Sequence, residues 1–186
     1  MKKGGPLLVI LAIVIIVGGM FASKYNKLVK LDNEVDNAFA QVQVAVKRRA
    51  DLIPNLVETV KGYASHEEET LTKITEARSQ VNNASNPEEL AQADANLTEQ
   101  IRNLNVSVEA YPELKANQNF LDLQAQLEGT ENRISTERRR YNETVKEYNQ
   151  TVRSFPMNLF AGIMGFDKKQ YFEAAPNEQD APDVKF

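Results

Sequence analysis

Cysteine and tryptophan are absent from this 186-residue chain, and histidine occurs once, at His66. Without thiols there is no disulfide framework, no thiolate zinc site and no lipobox cysteine to acylate. One imidazole cannot supply the pair that a helical zinc motif needs, and it leaves little material for a catalytic triad. Positive charge is in deficit: 22 basic residues against 26 acidic ones give a net charge of −4. Nucleic acid is therefore not expected as a partner, since phosphate binding needs a basic field. Serine nucleophile elbows, phosphate loops and dinucleotide fingerprints are missing too. No catalytic residue, metal ligand or cofactor is expected. Prolines and glycines gather before Met20 and from Pro156 onward. The middle of the chain is poor in breakers and reads as continuous regular structure.

Against these absences stands one long apolar run. Gly4 to Ser23 contains no charged residue and includes LLVILAIVIIVGGMFA. A helix of that length, at about 1.5 Å per residue, matches the roughly 30 Å hydrocarbon core of a bilayer. Lys2 and Lys3 in front also suit a secretory signal peptide. A cut after Ala22, however, would set bulky Met20 where a small residue is wanted, and helical patterning starts at once from Tyr25. Residues 1–23 are expected to stay as a single transmembrane anchor and membrane lipid to be a partner through it. Lys2, Lys3 and the amino group on one side balance Lys24, Lys27 and Lys30 on the other, so the positive-inside rule assigns no orientation.

Beyond the anchor the apolar spacing alternates three and four, the seam of helices that pack on helices. Leu28, Leu31, Val35, Ala38, Val42 and Ala45 open the series, with Arg49 where the next apolar residue is due. Val60, Ala64, Glu67, Leu71, Ile74, Arg78 and Val81 form a second run. Pro54 between them either starts a helix or kinks one, and a tight corner is the favoured reading. Asn86-Pro87-Glu88-Glu89 combines an N-cap, a first-turn proline and two acids at the positive end of a helix. Leu90 to Tyr111 and Phe120 to Phe155 supply two more seams. The expected fold is all-α: the anchor, then an antiparallel up-and-down four-helix bundle over 24–154, or three long helices if Pro54 only kinks. An apolar segment at 155–172 and a disordered acidic tail at 173–186 complete the expected domains.

Two places could carry function. Arg49, Glu131 and Arg138 fall on the seams, so one arginine is expected to pair with Glu131 in a buried ionic layer, which Arg78 and Glu67 could extend. The alternative for Lys47-Arg48-Arg49 is a patch for phosphate or an acidic partner. His66-Glu67-Glu68-Glu69 reads as a solvated acidic face rather than a metal site. The second place is FPMNLFAGIMGF, Phe155 to Phe166, apolar but too short to span a bilayer. One helical turn would put Phe160, Ile163 and Met164 on a common side, with Lys168 and Lys169 next to meet anionic headgroups. The segment reads either as a foot touching the membrane or as a cap closing the bundle.

Several long motifs occur in order: YNKLVKL (Tyr25 to Leu31), KRRADLIPNLVETVKGYASHE (Lys47 to Glu67), YPELKANQNFLDLQAQLEGTENRISTERRRYN (Tyr111 to Asn142), then FPMNLFAGIMGF and YFE ending at Glu173. Together they resemble the LemA family over nearly the whole chain. Phe39 and Ala50 stand where that family usually has a large aromatic and a tyrosine, and the second change removes a ring beside Pro54. The resemblance implies a bacterial membrane protein with one N-terminal span, a four-helix bundle and no established catalytic residue. It also implies a protein partner, with a membrane protease as the candidate, and kinship to a protein of magnetosome membranes. The functional expectation is a non-enzymatic scaffold of the inner membrane. The alternative is a membrane-shaping protein acting through Phe155–Phe166.

Overall fold

The computed structural model describes residues 5–64 and 67–173, with side chains from Val9 onward. His66 and the tail beyond Glu173 lie outside the described residues. Helices account for most of the rest: α1 (Gly5–Ala50), α2 (Ile53–Lys61), α3 (Glu68–Asn83), α4 (Pro87–Val108), the single turn α5 (Pro112–Lys115) and α6 (Gln118–Arg153). Two 3-10 turns follow, at Met157–Leu159 and Gly162–Met164. The fold is all-α.

The chain forms two compact units. The first holds the described residues up to Asn37 with Glu143–Lys169. Its interior is made by Leu28, Leu31 and Val35 of α1, Val145, Tyr148 and Val152 of α6, and Met157 and Ala161 beyond. These positions follow the three-and-four spacing, so one stripe of each helix is removed from water. The 3-10 turns end on Gly165, whose φ of 79° only glycine adopts freely. That turn lets Phe166 donate its amide to the Ala161 carbonyl at 2.9 Å.

The second unit holds Ala38–Asn142 and the described residues from Gln170. Ala38, Val42, Ala45 and Val46 of α1, Ile53, Leu56 and Val60 of α2, Ile74 and Ala77 of α3, Leu97 and Leu104 of α4, and Phe120 and Ile134 of α6 are buried. Burying each large aliphatic side chain contributes about 1.5–3 kcal/mol before ordering costs are subtracted. Asn86 caps α4 by accepting the Glu89 amide at 2.9 Å. Glu89 in turn accepts the Ser85 amide at 2.8 Å and its hydroxyl at 2.9 Å. These bonds hold the Glu89 carboxyl below the usual carboxylate range, the Ser85 amide contributing most.

Pro54 does not make the corner that its residue type suggests. Only Asp51 and Leu52 separate α1 from α2, and Leu52 stays in the right-handed helical region. Contacts with α6 and the residue preceding it keep antiparallel register straight through the break. Phe39 faces Tyr141, Arg49 meets Glu131, and the Asn117 amide donates to the Tyr63 hydroxyl. Proline lacks the N–H that would bond the carbonyl four residues back, which belongs to Ala50. Arg78 of α3 supplies the missing donor, its Nε lying 3.1 Å from that carbonyl. With the orphaned acceptor satisfied, the helix bends and continues. Reversal comes instead after Gly62, so Val60 and Leu71, assigned to one run by spacing, lie on successive rods. Gly129 stays inside α6 without interrupting it.

Candidate functional site

Buried charge is the chemical feature of the second unit. Arg49 is 4% exposed and Asp94 1% exposed. Arg49 Nη1 lies 3.3 Å from Asp94 Oδ1 and donates to Thr98 Oγ1 at 2.8 Å, and it also meets Glu131 Oε2. Arg138 Nη2 approaches the other Asp94 oxygen at 2.6 Å. Its guanidinium stacks 4.6 Å from the centre of the Phe172 ring. Two guanidiniums and two carboxylates thus balance in sign, with Asp94 bridging the arginines. Desolvating such ions is costly, and the cluster persists because each charge is met.

This arrangement differs from the sequence expectation in its centre. Arg49 does reach Glu131, but Glu131 keeps 40% of its side chain exposed, and Arg138 pairs with Asp94 instead. Arg78 and Glu67 are diverted elsewhere, Arg78 to the Ala50 carbonyl and Glu67 to the Tyr111 hydroxyl at 3.2 Å. Asp94 adjoins Ala93, and both are buried. The signal was available: Leu90, Asp94, Leu97, Ile101, Leu104 and Val108 alternate four and three without a break. Lys47 and Arg48 are exposed, as is Glu68, and among the described residues no group of three or more metal-ligating side chains comes together.

Two asparagines perform a task that their residue type did not announce. In the first unit Asn149 accepts the Lys169 amide and donates to its carbonyl, both at 2.9 Å. In the second unit Asn142 holds Phe172 in the same way, at 2.8 and 2.9 Å. An asparagine side chain presents one acceptor and two donors, so it pairs with an extended residue as a neighbouring strand would. Residues 155–172 are therefore not one segment: the 3-10 turns belong to the first unit, and Phe172 is core in the second.

Lys169, expected to face headgroups, is turned inward within the first unit. Its Nζ lies 3.0 Å from Asp32 and 3.6 Å from Asp36, and 5.8 Å from the centre of the Tyr148 ring. Burial pulls the ammonium down, but bonds and charge from Asp32 and Asp36 outweigh it and raise its pKa. The buried Tyr148 hydroxyl is pushed up to about 12, first by burial and then by Asp32 and Asp167. Lys168 is exposed.

The apolar surface of the first unit completes the picture. Along α1 the large side chains from Val9 to Val17 are between 53% and 65% exposed, and Met20 is 61% exposed. Among the described residues α1 is the one helix long and apolar enough to cross a membrane. Phe155 is 80% exposed, Leu159 59%, Phe160 40% and Ile163 86%, while Met164 is half-buried. Phe160 lies between the two 3-10 turns and accepts the Met164 amide at 3.1 Å, the four-residue bond of a single helical turn. Phe160 meets Phe21 edge-on, with ring centres 5.2 Å apart, and Phe166 meets Tyr25 at 5.8 Å.

Residues 38–186 match the LemA family. The chain belongs to the LemA family. It is 30% identical to Protein LemA of Metamycoplasma hominis over 166 residues, covering 86% of this chain and 74% of that protein. It is 21% identical to magnetosome protein MamQ of Magnetospirillum gryphiswaldense over 202 residues, 92% of this chain and 74% of the relative. Magnetosome protein MamQ 2 of Paramagnetospirillum magneticum is 22% identical over 179 residues, and there the chain spans 66% of the relative's length. This LemA family chain is thus a helical, membrane-associated protein, its apolar helix leading into the residues that the family match begins with.

Proposed function

We propose that this LemA family protein is a non-enzymatic scaffold of the bacterial inner membrane that offers its helical surface to protein partners. The observation that carries the reading is the continuity of α1, a single helix from Gly5 to Ala50. Its first part suits lipid, and its last part supplies Ala38, Val42 and Ala45 to a bundle core. A tethered enzyme would tolerate a flexible linker after its anchor, whereas a scaffold gains from having none. Two of this protein's relatives are named as magnetosome proteins. A membrane protease is the partner class proposed for first trial.

Photo-crosslinking in cells tests this. A crosslinking residue placed at exposed Glu99, Arg102 or Asn103 of α4 should capture one or a few discrete proteins, identified by mass spectrometry. Capture at exposed positions all round the bundle without a preferred protein would refute a scaffold role.

A further inference from the structure

We propose that residues 155–164 form a second membrane contact, an interfacial foot set against the end of the anchor and seated in a lipid surface. The inference rests on the anchor reading of α1 and adds a site to it. Between Arg153 and Asp167 the chain carries no charge. Its inward side chains, Met157 and Ala161, are buried, so the segment is held by its own unit. Its outward side chains, Phe155, Leu159 and Ile163, are as exposed as the lipid-suited residues of α1 or more so.

Position decides what covers them. Phe160 packs edge-on against Phe21, in the last turn of the uncharged run that ends at Ser23. Phe166 packs on Tyr25, one turn further along α1. If α1 crosses the bilayer up to Ser23, the 3-10 turns sit where the hydrocarbon gives way to headgroups. Aromatic and aliphatic side chains at that depth exchange water for lipid, as in interfacial anchors. Ten residues are too few to cross, so the segment lies on the membrane rather than through it. Exposed Lys168 and Lys24 flank it on the polar side. A protein covering the segment at that depth is the competing occupant, and the labels below tell it from lipid.

The cysteine-free chain allows single thiol labels without background. The full chain would be reconstituted into phosphatidylcholine–phosphatidylglycerol vesicles with a polarity-sensitive dye on Ile163→Cys or Leu159→Cys. Both side chains point outward, so labelling should not disturb folding. Ile13→Cys reports the anchor and Asn103→Cys reports open water. The proposal predicts that dye at 163 emits to the blue of dye at 103, loses most of its iodide quenching, and is quenched by lipids brominated near the headgroup. Iodide quenching at 163 equal to that at 103, with Ile13 still quenched by deeply brominated lipid, overturns the foot and leaves the anchor intact. Protection from iodide without quenching by brominated lipid means a protein covers the segment, and also overturns it. Iodide access at Ile13 would overturn the anchor itself and the foot with it.

Discussion

The two units of this protein invert the usual distribution of side chains in opposite ways. The first turns Val9 to Val17, Phe155 and Ile163 outward, and the second turns Arg49, Asp94 and most of Arg138 inward. Outward apolar side chains cost nothing when the surrounding solvent is lipid, and a bilayer leaves them in place. Inward charges have no such excuse, because an apolar layer of equal volume would often be as stable or more so. What they supply is register. An arginine on α1 and another on α6 can meet a single aspartate on α4 in one alignment of the rods only, whereas leucines tolerate a slip. One departure answers to the solvent and the other to specificity, and substitutions separate them.

The sharpest break comes from Asp94. Asp94→Ala would remove the carboxylate that bridges two guanidiniums in the core, and should destabilise the folded protein by about 3–5 kcal/mol in chemical denaturation. Replacing Arg49, Asp94 and Arg138 together with Met or Leu should recover much of that loss, at the expense of a less uniquely aligned bundle. Glu131→Ala should cost less than Asp94→Ala, because its carboxylate is part-exposed. Equal losses for Asp94 and Glu131 would show that the charge centre is not where the geometry puts it.

A smaller loss is expected at the asparagines. Asn142→Ala strands a buried amide and carbonyl of Phe172 and should cost about 1–3 kcal/mol. Hydrogen exchange at Phe172 should accelerate with it. An unchanged exchange rate would mean the extended segment is held by Tyr141 and its own ring alone.

The first unit should weaken in alkali. Tyr148 keeps its proton to about pH 12 when folded, against an ordinary value of 10. Stability from the neutral phenol is therefore complete below about pH 10 and lost as pH rises towards 12. Lys169, also raised, adds in the same direction, since the ion pairs with Asp32 and Asp36 vanish when it deprotonates. Tyr148→Phe should flatten this alkaline decline in a pH series of melting curves, and a decline unaltered by the change would contradict the assignment.

The smallest expected effect is a gain. Gly129 lies mid-helix and exposed, and a Cβ there would meet nothing within 4 Å. Gly129→Ala should raise stability by about 0.5–1 kcal/mol, measured by the denaturation midpoint.

Much of the fold was legible in residue spacing, because helix seams repeat regularly and Asn86-Pro87 is a strong start signal. Pro54 misled, since sequence shows the donor that proline lacks but not the Arg78 that replaces it from another helix. The candidate sites were less legible. Arg49 stood out as a charge on a seam, yet Asp94 hid beside Ala93, where choosing one residue as the seam position rotates the helix by about 100°. The asparagine pairs were invisible for a different reason. They bind backbone, and the backbone they bind carries no sequence signature. Lys169 was misplaced because exposure was assumed for a lysine that three neighbours, Asp32, Asp36 and Tyr148, draw in.

The outward apolar face is compatible with a stable protein only while α1 stays in a bilayer. Membranes carrying the full-length protein would be washed with alkaline carbonate and the pelleted chain weighed intact by mass spectrometry. The account predicts that the chain remains in the pellet with Val9 to Met20 still part of it. A chain released to the supernatant, starting near Gly19 or Ser23, would contradict it.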